Sequence, residues 1–510
     1  MRIQRTQIKT KGSEIMDKKK VIVVGGGIAG LSAGIYALKA GYDVEIYEKN
    51  ALPGGECTGW KRNGYVIDNC IHWLTGTKKG TDLYDVWKTV GAIDDDTVYA
   101  DTKRFYSSRY KGQELTLWKD LDRTQEELIK ACPEDEEEIR KFIEYVGYAR
   151  GCVVPSKIPM DMMGIKDYIE LGKEMGDMGK VMKDYGKVDC ASLGARFKNP
   201  ALRKLMTDYL PAEYTSYSLM VSYASISCGN GDIPLGGSLA MSLRIADRFR
   251  ELGGVFISNA SVAKISVEGK RCTGIELEDG THIKGDYVIS SVDPSFLFGR
   301  LIDSRYMPKD LKKAYENPKG YPITSGFQVA FAVDDSFEAE DTVFFDCKKV
   351  KVGDRYIDRM SMKSYKYDPS FAPEGKAVIQ VNLVQTDEDY KFWAGLAPDE
   401  YRKKKSELAE ELKIRLVTEF PELKDNIEFL DCWTPLTYNR YCNAYHGSYM
   451  GFVTTVGNKQ LKLKGTIPGV DGLYLAGQWT MNPGGLPIAL VSGKFAVQRI
   501  LKKEKRSILI

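Results

Sequence analysis

The sequence predicts an α/β fold: a Rossmann-type dinucleotide-binding domain that carries an inserted α+β domain. Two observations point to it. Residues 21–49 hold a complete strand–glycine turn–helix–strand unit, and residues 472–501 repeat the strand–glycine turn–helix order far away in the chain. Residues 21–24 are wholly apolar and β-branched, as a strand buried in a parallel sheet requires. Gly25-x-Gly27-x-x-Gly30 follows at once and opens an Ala/Leu-rich stretch that reads as a helix. Gly25 permits the tight turn, Gly27 offers no Cβ to obstruct a pyrophosphate, and Gly30 lets helix and strand pack closely. Ile28 and Ala29 fall at the helix N-terminus, where free N–H groups and the positive dipole end face the phosphates. A second apolar strand at 44–47 ends in Glu48 and Lys49. Glu48 lies eighteen residues after Gly30, near the ~20 at which a carboxylate accepts bonds from ribose hydroxyls.

The remaining elements follow in order. A glycine pair, Gly54-Gly55, precedes Glu56 and Cys57. Residues 100–225 change character, being acidic and helical in period around 124–150 and then rich in Met and Tyr. Strand patterns return at 254–258, 261–267, 273–277 and 287–291, with Asp279-Gly280 as a hairpin turn and Val262 facing the cofactor. Residues 323–333 and 376–385 read as strands, and 398–419 as a charged amphipathic helix. The chain then runs through Gly477 and Gln478 into the Pro/Gly-rich loop with Gly485, Leu486 and Pro487, and a small-residue helix to about 501. This order predicts a discontinuous nucleotide domain (18–100, 225–300 and 455–505), a substrate domain (101–224 and 301–454) and a loose tail (1–17).

Composition excludes several classes. The 73 basic and 70 acidic residues give a formal charge of +3 over 510 residues, which argues against a nucleic-acid partner. No apolar run is long enough to span a bilayer, and the basic, polar first fifteen residues lack the apolar core of a signal peptide. Ten cysteines without a CxxC pair, and only three histidines, argue against a metal site and fit reduced thiols in a cytoplasmic protein.

NAD is the rival occupant of the opening motif, but three features favour non-covalent FAD. Gly54-Gly55 supplies a second close backbone approach to the pyrophosphate. The strand ending at Gly477 and the helix beyond it place N–H groups where they can stabilise a reduced isoalloxazine. No second GxGxxG offers a separate nicotinamide site.

The chain resembles the phytoene desaturase, carotenoid isomerase and retinol saturase superfamily of FAD-dependent oxidoreductases, whose nucleotide domain is glutathione-reductase-like. The resemblance covers most of residues 20–500. It rests on Gly54-Gly55 with Gly64-Tyr65-x-x-Asp68, and on Pro234-Leu-Gly-Gly237 followed by Gly253-Gly254, Asp279-Gly280 and Ser291-Val-Asp-Pro294. Asp368-Pro-Ser-x-Ala-Pro373, Thr434-Pro-Leu-Thr-Tyr438 and Pro483-Gly-Gly-Leu-Pro487 complete the set. The segment around His72-Trp73 and Gln478 after Gly477 are similar to the saturases, whereas 483–487 is similar to the desaturases. Relatives often place Arg after the glycine pair. Here Glu56 stands there, so the pyrophosphate must rely on backbone N–H groups or on Lys61 and Arg62.

The resemblance implies hydride transfer between a flavin and a carbon–carbon double bond of a long apolar polyene, retinoid or unsaturated acyl substrate, by saturation, desaturation or redox-assisted isomerisation. His72 is the candidate proton donor, because its segment faces the flavin in the relatives and its ordinary pKa lies near neutrality. The alternative is a His72 that only bonds flavin or backbone. His446, beside Tyr438, Tyr441 and Tyr445, is a second candidate for the substrate cavity, and His282 reads as a surface residue. The Met/Tyr-rich stretch 152–223 either lines a lipid channel or is ordinary core. Lys-rich segments at 402–405 and 502–506 are either solvated faces or peripheral contacts with anionic headgroups. A flavin amine oxidase, and a non-catalytic FAD- or lipid-binding protein, are the competing functions. The electron donor or acceptor is not encoded in any motif.

Overall fold

The computed structural model describes residues 18–338, 341–458 and 460–510. The tail expected at 1–17 therefore lies outside the described residues.

Five parallel strands build the nucleotide sheet, in the order Leu473–Leu475, Tyr287–Ser290, β1 (Lys20–Val24), β2 (Asp43–Tyr47) and Val255–Ile257. The apolar run at 21–24 serves both faces of this sheet. Val21 and Val23 join Val44, Ile46 and Ile289 in one core, and Ile22 and Val24 join Val288, Leu473 and Leu475 in another. A strand covered on both sides has no polar face, which is why these residues do not alternate in polarity. Helix α1 (Ile28–Lys39) covers the first face together with the C-terminal helix Gly485–Lys503. The two helices approach closely because position 493 is glycine: a Cβ there would stand 2.3 Å from the Ala29 carbonyl oxygen. Ser32 Oγ seals the contact by donating to the Leu490 carbonyl at 2.7 Å.

A seven-stranded sheet forms the second body, in the order Ile427–Trp433, Ser325–Asp334, Lys376–Gln385, Arg355–Ser364, Thr342–Val352, Arg104–Tyr110 and Gln113–Trp118. Its pairs are antiparallel except where Thr342–Val352 meets Arg104–Tyr110. The charged helix Pro398–Glu419 lays Leu408, Ala409, Leu412 and Leu416 against it. The periodicity at 398–419 thus marks a surface helix with one apolar stripe. The hairpins at 104–118 and 342–364 carry charged residues on their outer faces and give no clear strand signal in the sequence.

A helical layer drawn from residues 121–227 packs on the strands Arg104–Tyr110 and Gln113–Trp118. Here the Met/Tyr-rich stretch divides. Met178, Tyr185, Met206 and Tyr223 are buried in the core of this layer. Helix Ile165–Met175 buries none of its residues. No helix among the described residues is long and apolar enough to cross a membrane.

Candidate cofactor site

β1 ends at Val24; Gly25, with φ +99°, then turns the chain, and its N–H donates to the Tyr47 carbonyl at 2.9 Å. Gly27 then caps α1 in extended geometry (φ −72°, ψ 178°) without any side-chain bond. The first-turn N–H groups of a helix have no intrahelical partner, and Ile28 and Ala29 present theirs at the wall of a cavity. Gly54 docks alongside, its N–H donating to the Gly26 carbonyl at 2.9 Å and its backbone forming a parallel bridge with Gly27. Gly54 and Gly55 both need positive φ, +115° and +62°. A Cβ on Gly27 would meet nothing closer than the Gly54 carbonyl oxygen at 3.8 Å, because it would point into the cavity. Gly30 lies behind the wall, where a Cβ would stand 2.0 Å from the Gly25 carbonyl oxygen. Its role is the close strand–helix contact.

Glu48, at the end of β2, is held from three sides. Its carboxylate accepts the Gly26 N–H at 2.7 Å, the Asn50 N–H at 2.8 Å and the Asn50 amide at 2.7 Å. Lys49 bonds the Arg440 carbonyl at 2.9 Å and Asn443 Oδ1 at 3.0 Å, which draws residues 441–444 onto the cavity wall.

The cavity spans about 1130 Å³, part of it open to solvent. It runs from Gly25, Gly27 and Glu48, past Val262 and Asp293, to Gln478, Gly485 and Leu486. Lys49, Gly54, Gly55, Glu56, Cys57 and Gly477 also line it. Pro487 is the next residue in the helix but does not reach the lining. Sequence reading missed Asn50, Cys70, Asp293, residues 441–444 and Tyr449 as lining residues. Asp293 lies in the Ser291-Val-Asp-Pro294 block, a signal that was available; residues 441–444 carry no motif and arrive only by the fold.

The far end is closed by a bond between distant segments. Gln478 Nε2 donates to Glu56 Oε2 at 3.0 Å, and Gln478 Oε1 accepts the Gly485 N–H at 3.2 Å. Burial, with some help from Asp293, pushes the Glu56 carboxyl up to about 8 despite the Gln478 bond. It is therefore mainly a neutral acid at pH 7. Burial likewise raises Asp293.

Lys61 and Arg62 are not phosphate ligands. Both are exposed on the strand Gly59–Arg62, and Arg62 Nε pairs with Asp431 at 3.0 Å. The cradle offers backbone N–H groups in their place. The Pro234-Leu-Gly-Gly237 block serves Asp68. That carboxylate accepts the Ser238 N–H at 2.7 Å and Ser238 Oγ at 3.0 Å at the start of helix Gly237–Glu251.

His72 stands off the cavity lining, two residues beyond Cys70. Lys363 Nζ, on the strand Arg355–Ser364, lies 3.3 Å from His72 Nδ1 and 3.4 Å from the Ile71 carbonyl. Burial and the Lys363 charge lower His72 to about 3, and burial lowers Lys363 to about 8. At neutral pH the proton sits on Lys363, and His72 is a neutral acceptor at Nδ1. The expectation of His72 as a standing acid is corrected on this ground: desolvation and a cation alongside both disfavour an imidazolium. His446 is not a cavity residue either. It pairs with Asp387 and stacks between Tyr445 and Tyr390, at 4.1 and 4.7 Å between ring centres. His282 is exposed, as expected. No residue between Cys70 and Ala260 lines the cavity, so its wall contains nothing from the stretch 152–223.

Comparison with known proteins agrees with this geometry. The sequence profile described as flavin containing amine oxidoreductase matches residues 28–501. Prolycopene isomerase 2 from the chloroplast of an Oncidium hybrid cultivar is 23% identical over 96% of this chain and 84% of its own length. The 4,4'-diaponeurosporene oxygenase of Staphylococcus haemolyticus is 22% identical over 95% of this chain and 97% of its own. An oxidoreductase from Methanosarcina mazei superposes with a TM-score of 0.59 at 17% identity, covering 95% of this chain and all of the other.

Proposed function

From the premise that the chain belongs to the flavin-containing amine oxidoreductase family, with FAD as its cofactor, we propose that it is an oxidoreductase acting on a carbon–carbon double bond of a long apolar polyene or unsaturated acyl chain. The observation that carries the cofactor placement is the continuous cavity from the Gly25–Glu48 end to the Gln478–Gly485 end. In this reading Gly27, the α1 N-terminus and Gly54-Gly55 hold the pyrophosphate, Glu48 accepts from the ribose, and Gln478, Gly485 and Leu486 lie at the isoalloxazine. When bound, the flavin supplies or accepts a hydride. The parallel sheet and its helices form the FAD domain (18–100, 225–300 and 455–505), and 101–224 with 301–454 form the substrate domain.

The chain's own residues do the rest. Glu56, kept neutral, holds Gln478 and adds no fixed negative charge beside the flavin. Lys363 stores a proton against His72 Nδ1, two residues from Cys70 on the cavity wall, and this pair is the proton source for the substrate. An apolar substrate suits this end of the cavity: Cys70, Tyr449 and Leu486 line it, and both nearby carboxyls, Glu56 and Asp293, are pushed toward their neutral forms. An amine oxidase would need a fixed negative charge to seat an ammonium group, and both carboxyls here are pushed toward their neutral forms. The relatives whose names specify carotenoid substrates support a polyene.

The test is to incubate oxidised and chemically reduced FAD-loaded protein with a mixed polyene and unsaturated-lipid extract, then read masses. A gain of two hydrogens with reduced protein marks a saturase and a loss with oxidised protein a desaturase. An unchanged mass with altered retention marks an isomerase. Unchanged polyenes alongside turnover of a primary amine panel would overturn the reading.

A further inference from the structure

We propose that Tyr438 is a positioning residue of the cofactor site: through Asn69 it holds the segment that carries Glu56, and so aims the Glu56 carboxyl at the bound flavin. The proposal rests on the FAD site described above and deepens it, because Tyr438 itself does not reach the cavity lining.

The Thr434-Pro-Leu-Thr-Tyr438 block first builds the helix that delivers the ring. Thr434 caps helix Pro435–Cys442: its Oγ1 accepts the Leu436 N–H at 3.2 Å, and Thr437 Oγ1 accepts the Thr434 N–H at 3.3 Å. Pro435 takes the first helical position, where a missing N–H costs nothing. Tyr438 then falls one turn in, buried with Ala330, Val378 and Trp433 of the seven-stranded sheet.

Two sheet residues meet its hydroxyl there. Gln328 and Trp433 are directly opposed on the strands Ser325–Asp334 and Ile427–Trp433. Gln328 Nε2 donates to the Tyr438 oxygen at 2.6 Å and Trp433 Nε1 at 2.9 Å. The hydroxyl donates in turn to Asn69 Oδ1 at 3.0 Å, and Asn69 Nδ2 donates to the Glu56 carbonyl at 2.9 Å. The two ends of this relay fix its direction, since an indole N–H can only donate and a backbone carbonyl can only accept. The Asn69 amide therefore has one orientation. The Tyr438 oxygen, accepting two bonds and giving one, is saturated.

What the relay positions is an acid. The Glu56 carboxyl, pushed up by burial to about 8, keeps its proton at pH 7. Gln478 Nε2 occupies Oε2 at 3.0 Å, which leaves the proton to Oε1, an oxygen with no hydrogen-bond partner among the described residues. Glu56 lines the cavity, so that O–H is free to donate to the flavin. A donor stabilises the reduced, electron-rich ring more than the oxidised one. Held in place by Asn69, Glu56 thus favours the reduced flavin, and Tyr438 ties that setting to the sheet of the substrate domain.

The midpoint potential of the flavin in FAD-loaded protein tests this. Wild type is compared with Tyr438→Phe, Asn69→Ala, Glu56→Ala and the two doubles that add Glu56→Ala to each of the others. Each single variant should lower the potential. With Glu56→Ala present, neither Tyr438→Phe nor Asn69→Ala should lower it further, because the group they aim is gone. Equal shifts with and without Glu56, or an Asn69→Ala potential equal to that of wild type, overturn the proposal. Asn69 is half-buried, so its variant carries the test if Tyr438→Phe does not fold. Wild type that binds no flavin on reconstitution overturns the cofactor reading and this one with it. Bound flavin with additive shifts overturns this one alone.

Discussion

Replacing Gly27 by Ala separates cofactor binding from folding. The backbone at Gly27 (φ −72°, ψ 178°) lies in a region open to any residue. The new Cβ would have the Gly54 carbonyl oxygen at 3.8 Å and Gly55 Cα at 3.9 Å, ordinary contacts. Folding should therefore be preserved, with up to about 0.4–1 kcal/mol gained through a stiffer unfolded chain. The methyl group nevertheless enters the slit between the α1 N-terminus and the Gly54-Gly55 turn, where the pyrophosphate would pass. Loss of two charge-assisted hydrogen bonds at about 1.5 kcal/mol each amounts to roughly 3 kcal/mol, or somewhat more than a hundredfold in Kd. At an FAD concentration one hundred times the wild-type Kd, stabilisation by the ligand is about 2.7 kcal/mol. A hundredfold weaker variant keeps only about 0.4 kcal/mol. Flavin fluorescence titration and thermal melts with and without FAD measure both quantities. Gly30→Ala is the contrast, since its Cβ would stand 2.0 Å from the Gly25 carbonyl oxygen, and it should fail to give folded protein. Unchanged FAD affinity in Gly27→Ala, or an apoprotein as unstable as Gly30→Ala, would refute the cradle.

Two further outcomes follow from the charges. Glu504 is partly buried, which alone would raise its carboxyl, but Lys19, Tyr42, Tyr287 and Arg506 outweigh that and lower it to about 2. Its stabilising contribution is therefore full above the unfolded value of about 4.5 and lost as pH falls through about 2. Glu504→Gln should flatten acid unfolding over that window by about 1–2 kcal/mol after screening, and an identical acid profile in the variant would refute the assignment. At the other site, turnover that needs protonated Lys363 should fall as pH rises through about 8. Lys363→Met should abolish that limb and lower kcat at least tenfold, while His72→Gln should slow turnover and keep the limb. The reverse pattern in the pH profiles would return the stored proton to His72.

How far the sequence speaks depends on how local each feature is. The unit from β1 to Glu48 is legible because its parts are neighbours, each glycine answering a steric demand within a few residues. The strand ending near Gly477 and the Gly485 helix are legible for the same reason. What the sequence does not reveal is side-chain protonation, which depends on burial between remote elements. His72 reads as an acid until Lys363, brought in on a strand of the second sheet, is placed 3.3 Å away. Residues 441–444 reach the cavity through the Lys49 bonds and the Asn50 amide, which donates to the Tyr441 carbonyl at 3.0 Å.

The Gln478 bridge to Glu56 spans 422 residues of chain, and this orders events during synthesis. While the last segment is still within the ribosome, the parallel sheet lacks Leu473–Leu475, α1 lacks the partner that fits around Gly493, and the far end of the cavity is open. The opening glycine motif is made first, yet its site is among the last parts of the molecule to close. Cofactor capture therefore waits until residues 473–493 have left the ribosome, and bound FAD reports that the first and last elements of the sheet have met.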